Sequence, residues 1–333
     1  MTYIIVDAAN LFFRGRHIAI GSLEDKAGLS MQIVLTSIRK VWRDFNGAHV
    51  VVCLEGRSWR KDFYPRYKKN RADLRAKQTP REIKEDQIFW ETFDQFKDFV
   101  KDKTNCTVLH HPQLEADDLI AGWIRHHPNS QHVIISTDGD FAQLVAPNVR
   151  QYNGVTGVIT SHEGYFDDKG KPVVDKKTKV IKSAPDPEWL LFEKCMRGDT
   201  SDNVFSAFPG VRTKGSKNKV GLTEAYADRK SRGYNWNNLM LQRWIDHEGQ
   251  EHRVLEDYQR NVLLCDLNAQ PDHIKKLINE TITQNIEQNK NIPQIGIRLL
   301  KFCSSHNLVK ITEQIESYAN PLSAPYIKQE VFQ

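Results

Sequence analysis

HVIISTDGDF, residues 132–141, decides how the fold is read. A short apolar run rich in β-branched residues (His132–Ser136) stops abruptly, and two aspartates, Asp138 and Asp140, follow around a glycine. Such a run is what a strand buried on both faces requires. Working outward, Tyr3–Val6, His49–Leu54 and Cys106–His110 repeat the pattern. Between these runs, Ser30–Phe45 and Glu115–His127 have helical spacing, the former through Ile33, Val34, Ser37, Ile38 and Val41. The alternation predicts an α/β fold, a central mostly parallel sheet flanked by helices on both faces.

Open parallel sheets bind ligands beyond the carboxyl ends of their strands. Asp7 ends the first run, Glu55 the second, and Asp138 and Asp140 follow the fourth; Glu115, Asp117 and Asp118 open a helix after the third. Asp199 and Asp202 follow a helix expected over Pro187–Arg197. Any one of these acids alone reads as a cap or turn residue. Their recurrence at successive strand ends predicts one edge rich in carboxylates, whose mutual repulsion calls for divalent cations. Oxygen donors without interleaved His or Cys suit Mg²⁺, with Mn²⁺ able to substitute, and a pair of ions is the usual arrangement for phosphodiester hydrolysis.

Between Arg57 and Arg81 ten Lys or Arg residues face two acids, Asp62 and Asp73, and the cations interleave with Trp59, Phe63, Tyr64 and Tyr67. Cations that track phosphates beside rings that stack bases form a pattern for single-stranded nucleic acid. This basic stretch continues into an amphipathic helix near Glu82–Val100. Gln151–Lys182, with turn signals at Asn153-Gly154 and Lys169-Gly170, is expected as a hairpin insertion. From Asp186 the chain reads as helical, broken by a Gly- and Lys-bearing loop over Gly210–Gly221, with a polar surface turn expected at Gln284–Asn291. Two domains follow: an α/β domain over 1–185, including the long stretch 57–103, and a helical carboxyl-terminal region over 186–333.

The 333 residues suffice for one large domain or two, and 39% hydrophobic with 27% charged residues is a globular composition. No apolar run reaches the roughly 18 residues that cross a bilayer, and MTYIIVDAAN turns acidic too soon for a signal peptide. Five scattered cysteines without a CxxC pair predict free buried thiols and a cytoplasmic location.

VDAANLFFR (Val6–Arg14), LEGRSWRKDFYPRYKKNR (Leu54–Arg71), LEADD (Leu114–Asp118), STDGDFAQLV (Ser136–Val145) and RGDTSDN (Arg197–Asn203) stand in the order of a known motif series. Together they resemble the 5′–3′ exonuclease and flap-endonuclease superfamily, most of all its phage replication nucleases. The resemblance implies metal-site roles for Asp7, Glu115, Asp117, Asp118, Asp138, Asp140, Asp199 and Asp202, and for Glu55, where the family usually has the shorter Asp. It implies that 1–185 is a nuclease domain with an arch over 57–103, in which Lys68 and Arg71 act on the scissile phosphate, with Asp138 and Asp140 at the catalytic centre. Tyr67 would stack on a base, and Arg14 would lie close to the phosphate. The basic residues Arg57, Arg60, Lys61 and Lys69 would contact nucleic acid.

The family's helix–three-turn–helix place is taken by FPGVRTKGSKNKVGL (Phe208–Leu222), which offers Arg212, Lys214, Lys217 and Lys219 to a duplex. The implied activity is hydrolysis from 5′ ends of RNA–DNA and DNA–DNA duplexes and at 5′ flaps, with RNA-primer removal as its role in phage replication. Single-strand-binding protein and the replication machinery are the implied partners of a monomer in the host cytoplasm, away from membranes. Two alternatives stay open: a catalytically weak scaffold for branched DNA, and a PIN-type ribonuclease.

Overall fold

β1 (Thr2–Asp7), β2 (His49–Cys53), β3 (Thr107–Leu109), β4 (Gln131–Ile135), β5 (Val149–Asn153), β6 (Val158–Ser161) and β7 (Gly164–Phe166) form one sheet. These are its strands among the described residues; the computed structural model describes 1–17, 22–217, 219–288 and 290–328. Asn218 in the basic loop, Asn289 in the expected polar turn and the tail 329–333 lie outside them. The order is β3-β2-β1-β4-β5-β6-β7, with the first five parallel and β6 and β7 antiparallel. The four strands read from the sequence are present to within a residue or two. The fifth parallel strand, Val149–Asn153, falls partly inside the stretch read as a hairpin insertion, and only β6, β7 and the turns beyond them answer to that description.

Both faces of the sheet are covered, as its apolar composition demands. Ile4, Val6, Val50, Val52, Val133 and Ile135 share a core with Met31, Val34, Leu35, Ile38 and Val41 of the helix Leu23–Asp44. The helix Pro80–Lys103 adds Phe89, Phe93, Phe96, Phe99 and Val100 to that core. It starts where Thr79 and Glu82 form a capping box ahead of Pro80, whose missing N–H costs nothing at a helix start. On the opposite face Trp123, from the helix Ala116–His126, meets Tyr3 edge-on with centroids 5.2 Å apart. A Cβ at Gly122 would lie 2.2 Å from Cγ2 of Ile278, so only glycine lets the helix Asp272–Glu287 approach this closely. That helix continues to Glu287, through much of the polar turn expected at Gln284–Asn291.

The chain divides into two compact units that are discontinuous in sequence. The sheet unit comprises Met1–Ser58, Gln78–Pro185 and His273–Gln333; the other comprises Trp59–Lys77 and Asp186–Asp272. The stretch expected as an arch is thus divided, its amphipathic helix belonging to the sheet unit's core. In the second unit, helices Pro187–Arg197, Leu222–Ala227, Tyr234–Met240 and Val254–Cys265 enclose Phe192, Met196, Leu222, Ala225, Leu239, Met240 and Val254. It also contains a short antiparallel pair, Arg243–Ile245 with Glu251–Arg253, in a region read as helical.

Candidate metal centre and nucleic-acid contacts

The register of the sheet brings Asp7 level with Cys53, and Cys53 level with Leu109, so the carboxylates beyond these positions lie along one edge. Asp7 caps the helix Ala8–Phe13 by accepting from Asn10 N–H, and its other oxygen accepts from Ser136 Oγ at 2.8 Å. Glu55 Oε2 accepts from Ala116 N–H at 2.9 Å, which ties the end of β2 to the start of the helix Ala116–His126. The next residue is Gly56, where a Cβ would meet the carbonyls of His111 and Leu114 at 2.2 and 2.6 Å. That close approach holds the chain just before Glu115. Glu115 accepts from Ser58 Oγ at 2.8 Å, and its own N–H donates to Asp118.

Beyond β4, Asp138 accepts from Asp140 N–H at 2.9 Å, and its N–H donates to Ser136 Oγ. Gln151 on β5 donates its amide to the carbonyls of Ser136 and Asp138, and Asn10 accepts from both donors of Thr137. Ser58, Ser136, Gln151 and Asn10 therefore fix the acidic loops, although none was singled out in the sequence. The available signal was their polarity beside buried runs, since buried polar groups need partners.

Asp7, Glu115 and Asp118 are 6%, 1% and 0% exposed. Desolvating several groups of one sign is costly unless cations offset them. Burial first, then the charges of Asp7 and Asp117, push the Cys53 thiol well above its ordinary range, so it stays protonated and is a poor ligand. What this edge offers is oxygen, and that donor set fits a hard divalent cation of the Mg²⁺ or Mn²⁺ kind.

In the second unit, Asp199 and Asp202 sit after the helix Pro187–Arg197 in a turn closed by reciprocal bonds between Asp199 and Val204. Burial raises the Asp199 carboxyl, but hydrogen bonds from Lys194 and Ser201 outweigh it and leave the group at about 2. Asp202 accepts from Tyr67 Oη at 2.9 Å and pairs with Arg71 at 2.5 Å; Lys68 Nζ stands 3.8 Å away. Lys68 has φ 53°, a left-handed conformation that a lysine adopts at a cost of about 1 kcal/mol or more and that recurs at functional sites. Its N–H donates to the Asp202 carbonyl, which holds it there.

Two expected contacts find another place. Arg60 is 1% exposed and donates to the Leu264 carbonyl, while the Tyr67 ring, 4% exposed, packs with Cys195, Val204, Leu264 and Cys265. Both are packing residues here, because a guanidinium stem and a phenol ring fill a small core whose polar ends find partners. Arg14 is half-buried and donates to the Gly154 carbonyl. Arg57, Lys61, Lys69, Arg71, Arg212, Lys214, Lys217 and Lys219 are exposed. The last four surround a loop closed by Glu224, whose carboxylate accepts from the N–H groups of both Gly215 and Gly221. The amides of Gly215, Ser216, Lys219 and Gly221 are engaged internally, and the four cations stand exposed around them.

The family model for the 5′–3′ exonuclease N-terminal resolvase-like domain matches residues 2–177. The chain belongs to the 5′–3′ exonuclease family. Membership makes it a metal-dependent 5′-nuclease. Ribonuclease H of Enterobacteria phage T4 is 26% identical over 315 residues, 89% of each chain. DNA polymerase I of Rhizobium leguminosarum is 29% identical over 244 residues, which are 67% of this chain and 20% of the polymerase. The D15 flap endonuclease of phage T5, solved as a pseudo-enzyme-product complex with DNA and metal ions, superposes with a TM-score of 0.56. It is 20% identical, covers 96% of this chain and 100% of its own, and shares the fold. Among the described residues, no helix is long and apolar enough to cross a membrane.

Proposed function

We propose that this 5′-nuclease hydrolyses phosphodiester bonds from the free 5′ ends of RNA–DNA and DNA–DNA duplexes and at 5′ flaps, with Mg²⁺ as its ion. The observation that carries this reading is the carboxylate-lined edge of the parallel sheet, assembled from four separate strand ends. Asp7, Glu115, Asp117, Asp118, Asp138 and Asp140 would hold the ion on this edge. In the second unit, Asp199 and Asp202 would serve as further ligands to a cation. When bound, divalent cations activate water and stabilise the departing oxygen.

The chain's own residues do the rest. Ser136, Gln151 and Ser58 keep the carboxylate loops in place before any ion binds, so little reorganisation is needed. Glu55 anchors the start of the Ala116–His126 helix and supports Glu115. Lys68 and Arg71 offset phosphate charge, and exposed Arg57, Lys61 and Lys69 attract the backbone without regard to sequence. Removal of RNA primers during phage DNA replication in the host cytoplasm is the role proposed, with single-strand-binding protein and the replication machinery as partners of a monomer.

The test is cleavage of 5′-labelled flapped, nicked and RNA-primed duplexes with Mg²⁺, with Mn²⁺ and with chelator. Short 5′-labelled products that require the ion are expected from all three. Digestion beginning at 3′ ends, or cutting fixed by base sequence, would overturn the reading.

A further inference from the structure

Residues 167–182 extend the sheet past β7 and take no part in the acidic edge. Phe166 bridges to Pro172 and Val174 to Ile181, and Lys182 N–H donates to the Val173 carbonyl at 2.9 Å, which makes this stretch an ordered ribbon. Two turns shape it, and both use the same device. Asp167 accepts from the N–H groups of Lys169 and Lys171, and Asp175 from those of Lys177 and Thr178. The remaining acid, Asp168, pairs with Lys40. Every acid of the ribbon is thus committed to a turn or to an ion pair inside the protein.

The lysines are disposed the other way. Lys169, Lys171, Lys176, Lys177 and Lys179 are all exposed, and among the described residues none of the five has an ion-pair partner. Lys179 even occupies a left-handed backbone position, φ 59°, where glycine or asparagine would fit with less strain. Five unpaired cations on a hydrogen-bonded frame form a local field that a polyanion satisfies. A turn rigid enough to fix its lysines loses less entropy on contact than a disordered basic tail.

We propose that this lysine ribbon is a second nucleic-acid-binding surface, which grips the phosphate backbone of the double-stranded part of the substrate. The proposal rests on the chain acting on nucleic acid, as its family does, and not on which end it cuts. Backbone contacts of this kind add affinity and salt dependence without sequence preference.

The test replaces Lys169, Lys171, Lys176, Lys177 and Lys179 by Gln in the full chain. Binding is measured in chelator, over a range of salt, with a flapped DNA duplex carrying a long arm, the same flap with a short arm, and phosphatidylserine vesicles. The variant is expected to bind the long-armed duplex about 10-fold more weakly, with a log–log salt slope reduced by roughly 2 to 4, at about 0.9 per phosphate contact. Its single-turnover cleavage at saturating enzyme should match that of the parent. Equal affinity and slope for the two proteins would overturn the proposal, as would lost vesicle binding with duplex binding intact. The binding curves are read without cleavage, so failure of the 5′-end reading would appear separately, as wrong products from the parent.

Discussion

The two ends of the parallel sheet are built on opposite principles. At the carboxyl end, Asp7, Glu55, Glu115, Asp118, Asp138 and Asp140 gather charge of one sign, and hydroxyl and backbone N–H donors hold the first five. At the amino end, Tyr3 on β1 lies opposite His49 on β2 and His132 on β4, and packs with Trp123, His127 and Tyr326. Each histidine there donates one ring N–H to a carbonyl: His49 to Ala324, His127 to Trp123 and His132 to His127. The other nitrogen of His49 and His127 accepts from a hydroxyl, Thr107 and Tyr326 respectively, so the neutral ring is the one that fits. Burial pushes all three histidines down to about 4. One end is charged and costly in isolation; the other is neutral, packed and stabilising. An unfavourable site needs a favourable scaffold elsewhere in the same unit.

This contrast is open to direct attack. The largest effect is expected for Asp140→Asn, which should lower single-turnover cleavage about 10³-fold in saturating Mg²⁺, at least the scale of one lost charge-stabilising group. Its melting temperature should be unchanged or higher, because one repelling charge is gone; near-normal cleavage would remove Asp140 from the centre. At the opposite end, Trp123→Ala should cost about 3 kcal/mol of stability in urea unfolding. Cleavage per folded molecule should be retained, and a rate that falls with stability intact would show that the two ends are coupled.

A smaller effect is expected at Glu55. Glu55→Gln keeps an oxygen for Ala116 N–H but removes a charge, so the Mg²⁺ titration should shift to higher concentration with the maximal rate largely kept. An unmoved titration curve would make Glu55 a purely structural anchor. The mildest test is pH. The three histidines are ordinarily half-protonated at 6.5, but only near 4 in the folded protein. The unfolded chain therefore binds more protons across that interval, and stability should be full above 6.5 and decline as the pH falls towards 4. Urea midpoints from pH 7 to 4 measure this, and a flat profile would contradict the neutral cluster.

The sequence made the acidic end more legible than the amino end. Strand ends are marked by an apolar run followed by an acid, and that mark is local. The roles of His49, His127 and His132 depend on neighbours brought by other strands and by residues after 320, so no window of sequence displays them. β5 was obscured because VRQYN lacks a continuous apolar run, although Val149, Gln151 and Tyr152 are buried. The cations of the arch were visible, but a count of charges does not separate exposed Lys61 from buried Arg60. An amphipathic helix likewise declares that it has a partner without naming it. The apolar faces of Ile274, Ile278 and Ile282, and of Leu299 and Cys303, therefore read as a helical region of their own, whereas they belong to the sheet unit.

The close approach at Gly122 has a consequence for how the chain is made. Ile278 belongs to a helix that leaves the ribosome some 150 residues after Gly122 (278 − 122 = 156). Until then Trp123 and the sheet beneath it have one flank open, and the segment Asp186–Asp272 is synthesised as an excursion from an unfinished unit. Contacts of such long sequence separation are slow to form and leave apolar surface exposed in the meantime. The nascent protein carries its acidic edge from the start but completes its scaffold last, so a fragment ending near residue 270 would present the nuclease motifs on a sheet unable to hold them.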